Sequence, residues 1–314
     1  MRPARALPPA LAGGPFRVGD ALAAGVTPGR VRGRDLVAPL WGVRSHADEE
    51  PDFLARLRAT EQVRPDGTAY SHETAARLQR LPLPDQWDPA EPVHLCGPTD
   101  LPRARRRGVV SHRGLERRGL LTVGGMACTD PCTTWADLAE RLTLDDLVAL
   151  GDAVVRRSGG TPLARLIATV ESRGGDRAVT RMRAAAALVR VGSESPMETR
   201  ARLLVVRSGL PEPELNVAVL DADGGWLATG DLVWKARRVV AEFDGDHHRV
   251  DRRQWQVDVA RREAVVEAGW TYVQLTARSV TDPTWVARTL SRLRRLLVPR
   301  GQLLSSGGTH GYRS

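Results

Sequence analysis

The sequence has little of several features that define other classes of protein. It has three cysteines, too few for the disulfide framework of a small secreted domain, and no apolar run long enough to cross a bilayer. Its first residues include arginines but no apolar stretch, so we expect no secretory signal. We therefore expect a cytoplasmic protein with no membrane partner, and 314 residues allow two or three domains.

Lysine is almost absent. Lys235 is the only one, so arginine supplies nearly all of the basic charge. The formal net charge is +9, which favours polyanionic partners, and nucleic acid is the commonest of these. A composition rich in Arg, Ala and Gly also arises in proteins encoded by GC-rich genomes. The charge is therefore compatible with DNA binding but does not establish it.

The order of the local patterns predicts a mixed α/β (α+β) protein with four regions. Residues 1–48 are predicted to form a winged-helix-like DNA-binding segment, and residues 49–192 a mostly helical linking region with a short strand pair at 93–95 and 109–111. Residues 193–299 are predicted to form a mixed sheet flanked by helices. The tail, 300–314, has few apolar residues and is predicted to be disordered.

The segment 16–44 has the pattern of a helix-turn-helix followed by a hairpin wing. Gly25 ends a first helix as a residue beyond the C-cap, and Thr27 with Pro28 begins a second. Short strands are expected at 36–37 and 40–43. The second helix would enter a DNA groove, whereas a helical hairpin used only for packing explains the pattern equally well. The candidate phosphate contacts here are Arg30, Arg32 and Arg34.

A zinc site formed by His94, Cys96, Cys128 and Cys132 is a weaker hypothesis for the linking region. Zinc in proteins is bound by such nitrogen and sulfur ligands. The spacings, His-x-Cys and Cys-x₃-Cys, match no strong zinc pattern. Ordinary core positions are the alternative that the sequence favours.

Acidic residues converge in the predicted sheet of the C-terminal region. A tight turn around Ala236 pairs Lys235 with Arg238 and places Asp231 opposite Glu242, where directly opposed residues share a face. Asp244 is two residues beyond Glu242 and points the same way. Three neighbouring carboxylates repel one another unless a cation lies between them. Because all the ligands are oxygen atoms, we expect Mg²⁺ or Mn²⁺.

Polar residues around these acids complete a candidate catalytic site. Glu198 begins a helix in a capping box with Ser195, so it has either a capping or a metal-binding role. His248 follows the third strand and could transfer protons. Gln274 lies on the last strand, where it either belongs to the site or only makes a hydrogen bond to a backbone group. The helix 251–268 carries candidate phosphate contacts at Arg252, Arg253, Arg261 and Arg262.

The order of these residues resembles the PD-(D/E)xK nuclease superfamily. Within it, the motifs 195–198, 240–248 and 268–270 are similar to the branch related to very-short-patch-repair (Vsr) endonucleases. The resemblance implies a restriction-endonuclease-like fold and Mg²⁺-dependent cleavage of DNA. It also implies that Asp231 and Glu242 bind the metal and that Glu198 and Gln274 assist. The superfamily pattern ends in lysine, whereas this chain has Asp244 there, so His248 is the candidate replacement.

Two functional hypotheses follow from these resemblances. The first is a metal-dependent DNA endonuclease, which the resemblance places in DNA repair or phage defence. The second is a DNA-binding regulator or antitoxin with a non-catalytic nuclease-like domain, because residues 16–43 resemble the winged helix of AbiEi-type antitoxins. Both predict DNA as the partner, and a homodimer is compatible with either. A nucleic-acid-binding scaffold would share the basic charge without needing a metal.

Overall fold

The computed structural model describes residues 6–48, 52–103, 105–156, 159–175, 177–244 and 252–299, with the side chains of 252–255 excepted. These residues form a mixed α/β protein, as predicted, in two compact units that meet in the sequence between Leu138 and Ala139. No helix in these ranges is both long and apolar enough to cross a membrane. The predicted tail, 300–314, lies outside the described residues.

A small antiparallel sheet of order β1-β3-β2 opens the first unit. Its core is formed by Phe16, Ala21, Val26, Val31 and Leu36. The elements are α1 (Pro9–Ala12), β1 (Phe16–Arg17), α2 (Val18–Ala23), a 3-10 turn (Arg30–Arg32), β2 (Leu36–Val37) and β3 (Val43–His46).

The predicted winged helix is only partly present in this segment. The first helix is α2, and Gly25 follows it with a φ of +80°, as expected. The predicted second helix is instead the single 3-10 turn Arg30–Arg32. Gly29 and Gly33 flank this turn, and glycine has a low helix propensity. The predicted groove-binding helix was therefore wrong. The strand expected at 40–43 also begins only at Val43.

A five-stranded sheet of order β6-β5-β4-β8-β7 forms the rest of the first unit. The pairs β5·β6 and β4·β8 are parallel, and the other two are antiparallel. The elements are α3 (Phe53–Glu61), β4 (Ala69–Tyr70), α4 (His72–Leu78), β5 (Val93–Gly97), β6 (Val109–Arg113), a 3-10 turn (Leu115–Arg117), β7 (Leu120–Val123), β8 (Met126–Thr129) and α5 (Pro131–Asp137).

The linking region was predicted to contain only a short strand pair, and this was wrong. The predicted pair corresponds to β5 and β6, but three further strands complete the sheet. The hairpin of β7 and β8 turns at Gly124 and Gly125, which have φ values of +54° and +80°. Two consecutive glycines between short apolar runs are a hairpin signal, so this part was detectable in the sequence.

The predicted His/Cys zinc set is not brought together by this sheet. Cys128 packs with Val93 and Leu95 in one cluster. His94 alternates with Leu95 along β5 and therefore faces the other side of the sheet. Cys96 lies in a different apolar cluster from Cys128. The cysteines are buried core residues.

The second unit begins with helices that precede the predicted boundary at 192. These are α6 (Leu144–Val154), α7 (Leu163–Ser172), α8 (Val179–Leu188) and α9 (Pro196–Arg207). Asp152 of α6 forms a buried ion pair with Arg202 of α9, 2.9 Å apart, and accepts a hydrogen bond from Thr199. Because these contacts join the helices on either side of residue 192, the observed limit differs from the predicted one.

A four-stranded mixed sheet of order β12-β11-β10-β9 is the centre of the second unit. The three strands β9, β10 and β11 are antiparallel, and β12 is parallel to β11. One face packs against residues of α9 and α12, and the other against Val265 of α10. The elements are β9 (Glu214–Leu220), β10 (Trp226–Trp234), a 3-10 turn (Lys235–Arg237), β11 (Val239–Phe243), α10 (Arg252–Glu267), β12 (Thr271–Leu275), α11 (Arg278–Thr281) and α12 (Pro283–Leu297).

Candidate functional site

The register between β10 and β11 places Asp231 beside Glu242. Leu232 pairs with Ala241 and Trp234 with Val239, which is the predicted register. Continued by one residue, this register brings Asp231 alongside Glu242. Asp231 Oδ2 also accepts a hydrogen bond from the backbone N–H of Phe243 at 2.7 Å. The hydrogen bond from Phe243, and the effect of the Glu242 charge on the pKa of Asp231, show that the two acids are neighbours.

Asp231 is held in an environment that disfavours its negative charge. Burial, followed by repulsion from Glu198, Glu242 and Glu194, raises its pKa to about 7, although the hydrogen bond from Phe243 opposes the shift. A carboxyl group with such a pKa is a common feature of functional sites. A bound cation would reverse the effect, because it stabilises the ionised form.

Glu242 is anchored by two groups on the same side of the sheet. The Tyr272 hydroxyl donates to Glu242 Oε2 at 2.9 Å, and Arg261 Nη2 lies 3.4 Å from the same atom. Burial, and then the charge of Glu242, raise the pKa of Tyr272, so the phenol stays protonated and donates. The Arg262 guanidinium lies over the Tyr272 ring, 5.3 Å from its centroid.

Glu198 has the capping role that the sequence allowed, and its carboxylate also lies near Asp231. The Ser195 Oγ accepts the backbone N–H of Glu198 at 3.2 Å, and Glu198 Oε2 accepts the N–H of Glu194 at 2.8 Å. The same oxygen accepts from Asn216 Nδ2 at 2.9 Å. Glu198 therefore caps the start of α9, and its charge also acts on Asp231.

Gln274 and Asp244 form a pair at the open end of the site. Gln274 is the parallel partner of Glu242, and its Nε2 donates to Asp244 Oδ2 at 2.5 Å. Lys235 is elsewhere, because its Nζ lies 2.6 Å from Glu214 Oε2. The lysine therefore does not take the place that Asp244 occupies, and His248 lies outside the described residues.

The predicted phosphate-binding arginines have different environments. Arg261 and Arg262 are half-buried against Glu242 and Tyr272. Arg252 and Arg253 begin α10, but their side chains lie outside the described ones. In the first unit, Arg30 forms a two-pronged ion pair with Asp35 at 3.0 and 2.7 Å. Arg32 and Arg34 are exposed.

Asn216 and Tyr272 are site residues that the sequence analysis missed. Asn216 lies opposite Asp231, between the paired positions of β9 and β10, and has a φ of +47°. The alternating pattern of a strand does not predict a residue with a positive φ. Tyr272 could have been found, because it is two residues before Gln274 and side chains in a strand alternate between faces.

The three acids Asp231, Glu242 and Asp244 do not form a group of ligand atoms close enough to share one ion. In the described part of the chain, the only group of three or more His, Cys, Asp or Glu ligand atoms within 4.8 Å of one another is a histidine group in the first unit. The carboxylates of Asp231, Glu242 and Asp244 are held instead by hydrogen bonds to their neighbours.

Comparison with known proteins finds two relatives from two strains of Mycobacterium tuberculosis, named Uncharacterized protein MT2308 and Uncharacterized protein Rv2248. Each is 27% identical to this chain over 264 residues, which cover 84% of the chain and 94% of the relative. No protein-family model and no solved structure matches the chain. The aligned stretch is longer than either compact unit, so it includes residues of both.

Proposed function

We propose that the chain is a Mg²⁺- or Mn²⁺-dependent endonuclease that hydrolyses phosphodiester bonds of DNA. The observation that carries this proposal is the proximity of Asp231 and Glu242 beside the last paired residues of β10 and β11, with Glu198 near enough to raise the pKa of Asp231. Buried like charges are costly without a counter-charge. A site that keeps them is suited to a divalent cation.

The side chains around the pair have roles that suit phosphodiester cleavage. Asp231 and Glu242 would hold the cation, whose chemistry there would be to polarise the scissile phosphate and to lower the pKa of a water molecule. Tyr272 fixes the rotamer of Glu242 through its hydrogen bond. Gln274 holds Asp244 at the open end, where Asp244 can position water.

Arginines beside the acids support a phosphate-bearing substrate. Arg261 lies 3.4 Å from Glu242, and its side chain is 37% exposed. A guanidinium that reaches both the site and solvent can donate two hydrogen bonds to a phosphate. The protein's +9 charge adds a general attraction to DNA.

The test is cleavage of supercoiled plasmid, linear duplex and single-stranded oligonucleotides by the purified full chain, with Mg²⁺, Mn²⁺ or EDTA. We expect metal-dependent cleavage that Asp231→Asn and Glu242→Gln each reduce by about a hundredfold or more. Glu214→Gln is the matched control, because it removes an acid from the same sheet at a position paired with Lys235. It should cleave like the parent chain.

Two results would count against the proposal in different ways. Equal cleavage by the parent chain and both site variants would show that the activity does not come from these acids. Tight DNA binding with no cleavage of any substrate would instead favour the regulator hypothesis. Thermal unfolding of each variant checks that lost activity is not lost folding.

A further inference from the structure

Three histidines meet on one side of the five-stranded sheet in the first unit. His72 is the first residue of α4, His94 lies within β5 and His112 lies within β6. Each contributes a ring nitrogen, and the three atoms lie within 4.8 Å of one another. His72 and His94 are buried, and His112 is half-buried. The cluster differs chemically from the acidic site of the second unit, because its ligand atoms are nitrogens.

The parallel pairing of β5 and β6 brings two of the histidines together. His94 pairs with Val110 and Cys96 with His112, so the two imidazoles are diagonal neighbours on one face. His94 Nδ1 and His112 Nε2 are 2.9 Å apart. Two nitrogens bound to a tetrahedral zinc ion at about 2.0 Å are about 3.3 Å apart. Only a small separation is needed for these two atoms to share an ion.

His72 joins the pair from the start of α4 through an uncommon backbone conformation. Its φ is +52°, in the left-handed region that side chains other than glycine seldom adopt. Such conformations persist where the surroundings enforce them, often at ligand-binding positions. The His72 and His112 rings are stacked with centroids 3.6 Å apart. Because a metal lies in the plane of each ring that binds it, ion binding would replace this stack by a rotation of His72 about χ2.

Carboxylates lie close to ring nitrogens of two of the histidines, His94 and His72. Glu73 Oε2 is 3.4 Å from His94 Nε2, and Asp137 Oδ2 is 4.0 Å from His72 Nδ1. Asp137 is itself fixed by Arg118, with two contacts of 3.0 Å. A carboxylate on the far nitrogen sets the tautomer of a metal-binding histidine and increases its basicity. Glu73 therefore leaves His94 Nδ1 directed at His112. His72 Nδ1 lies 3.0 Å from Ser71 Oγ, so the Nε2 atom of His72 is the one left for an ion.

We propose that His72, His94 and His112 bind a divalent transition-metal ion, with Zn²⁺ as the preferred occupant. Three imidazoles suit zinc, copper or nickel and are poor ligands for Mg²⁺. The ion ties α4 to strands β5 and β6, and the three-nitrogen set leaves a fourth position for water or another small ligand. This site is independent of the proposed nuclease activity.

The test measures Zn²⁺ binding by the chelator-treated full chain, by competition with a fluorescent zinc indicator and by metal content after dialysis. We expect one tightly held ion and a higher thermal unfolding temperature when zinc is present. His112→Phe keeps a stacked ring but removes a ligand, and should weaken binding by about a hundredfold or more. The matched control is His46→Phe, in β3 of the same unit, which should bind like the parent chain.

Further measurements distinguish the ligand set and remain valid if His112→Phe fails to fold. The Co²⁺-loaded parent chain should show visible d–d bands without the thiolate-to-cobalt absorption that a cysteine ligand gives. Glu73→Gln should weaken zinc binding about 10- to 100-fold, since it removes the negative charge that lies 3.4 Å from His94 Nε2. Asp231→Asn should leave zinc binding unchanged. A parent chain that takes up no zinc or cobalt, a thiolate band, or full binding by folded His112→Phe would overturn the proposal.

Discussion

At the scale of single residues, Asp231 is a carboxyl group whose charged form is disfavoured both by burial and by neighbouring acids. Its carboxylate lies among Glu198, Glu242 and Glu194, and its pKa rises from 3.8 to about 7. The folded chain therefore keeps this proton to a higher pH than the unfolded chain does. The free energy of unfolding falls as pH rises from about 4 to about 7, and the loss is complete above the folded-state pKa.

Asp231→Asn should consequently stabilise the metal-free chain at neutral and higher pH. An amide has no charge to bury, so the loss of stability between about pH 4 and 7 should shrink, by roughly 1–2 kcal/mol at pH 8. Thermal unfolding in EDTA at pH 5 and at pH 8 measures how much stability each variant loses between the two pH values. Glu214→Gln is the control, and an identical pH dependence in both variants would contradict the assigned environment.

Gly230 determines how closely the strands can approach beside Asp231. A Cβ at this position would contact Val240 Cγ2 at less than van der Waals distance and Val233 Cγ2 at 2.8 Å. Gly230→Ala should destabilise the second unit by about 1–3 kcal/mol, because overpacking forces the neighbours apart. Denaturant unfolding gives the difference. Gly175→Ala, where nothing lies within 4 Å, should be neutral or stabilising, and equal losses would argue against steric crowding.

At the scale of elements, local sequence signals predicted the second unit better than the first. The turn at Lys235–Arg237 and the Asp231/Glu242 alignment followed from counting residues back from a tight turn. The Ser195 cap of α9 followed from a capping pattern. By contrast, β4 has only two residues and pairs with β8 across a long stretch of sequence. No local period identifies so short a strand, so neither the five-stranded sheet nor its histidine cluster could be predicted.

Three ion pairs join the helices α6 and α9, and two of them differ most in burial. Asp152 and Arg202 are each 1% exposed, whereas Asp145 and Arg207 are 38% and 46% exposed. Asp152 also accepts hydrogen bonds from the Arg190 backbone and from Thr199. Removing one partner of a buried pair leaves the other charge uncompensated, whereas a surface pair is screened by water.

Asp152→Ala should therefore destabilise the second unit by about 3–5 kcal/mol. Asp145→Ala removes the same kind of pair between the same helices and should cost less than about 1 kcal/mol. Urea unfolding of both variants makes the comparison. Similar losses would mean that the buried pair contributes no more than the exposed one to holding α6 against α9.

At the scale of the whole molecule, the net charge of +9 could favour DNA binding in two ways, which differ in the residues that contact the DNA. A diffuse basic surface attracts DNA wherever the charges lie, whereas a binding site depends on particular arginines. In the second unit, Arg261 and Arg262 lie beside the acids, and Arg252 and Arg253 begin the same helix. The helix α12 carries arginines of equal charge on exposed positions, including Arg288 and Arg295.

The salt dependence of DNA binding distinguishes these explanations. With Glu242→Gln as a background that prevents cleavage, we expect log K to fall with log salt at a slope of roughly −3 to −4, since each neutralised phosphate contributes about −0.9. Changing Arg252 and Arg253 together to Gln should reduce the slope by about 2 units. Changing Arg288 and Arg295 to Gln removes the same charge and should alter it little. Fluorescence anisotropy with a duplex oligonucleotide at several salt concentrations measures each slope, and equal reductions in the two double variants would mean that net charge, rather than α10, binds the DNA.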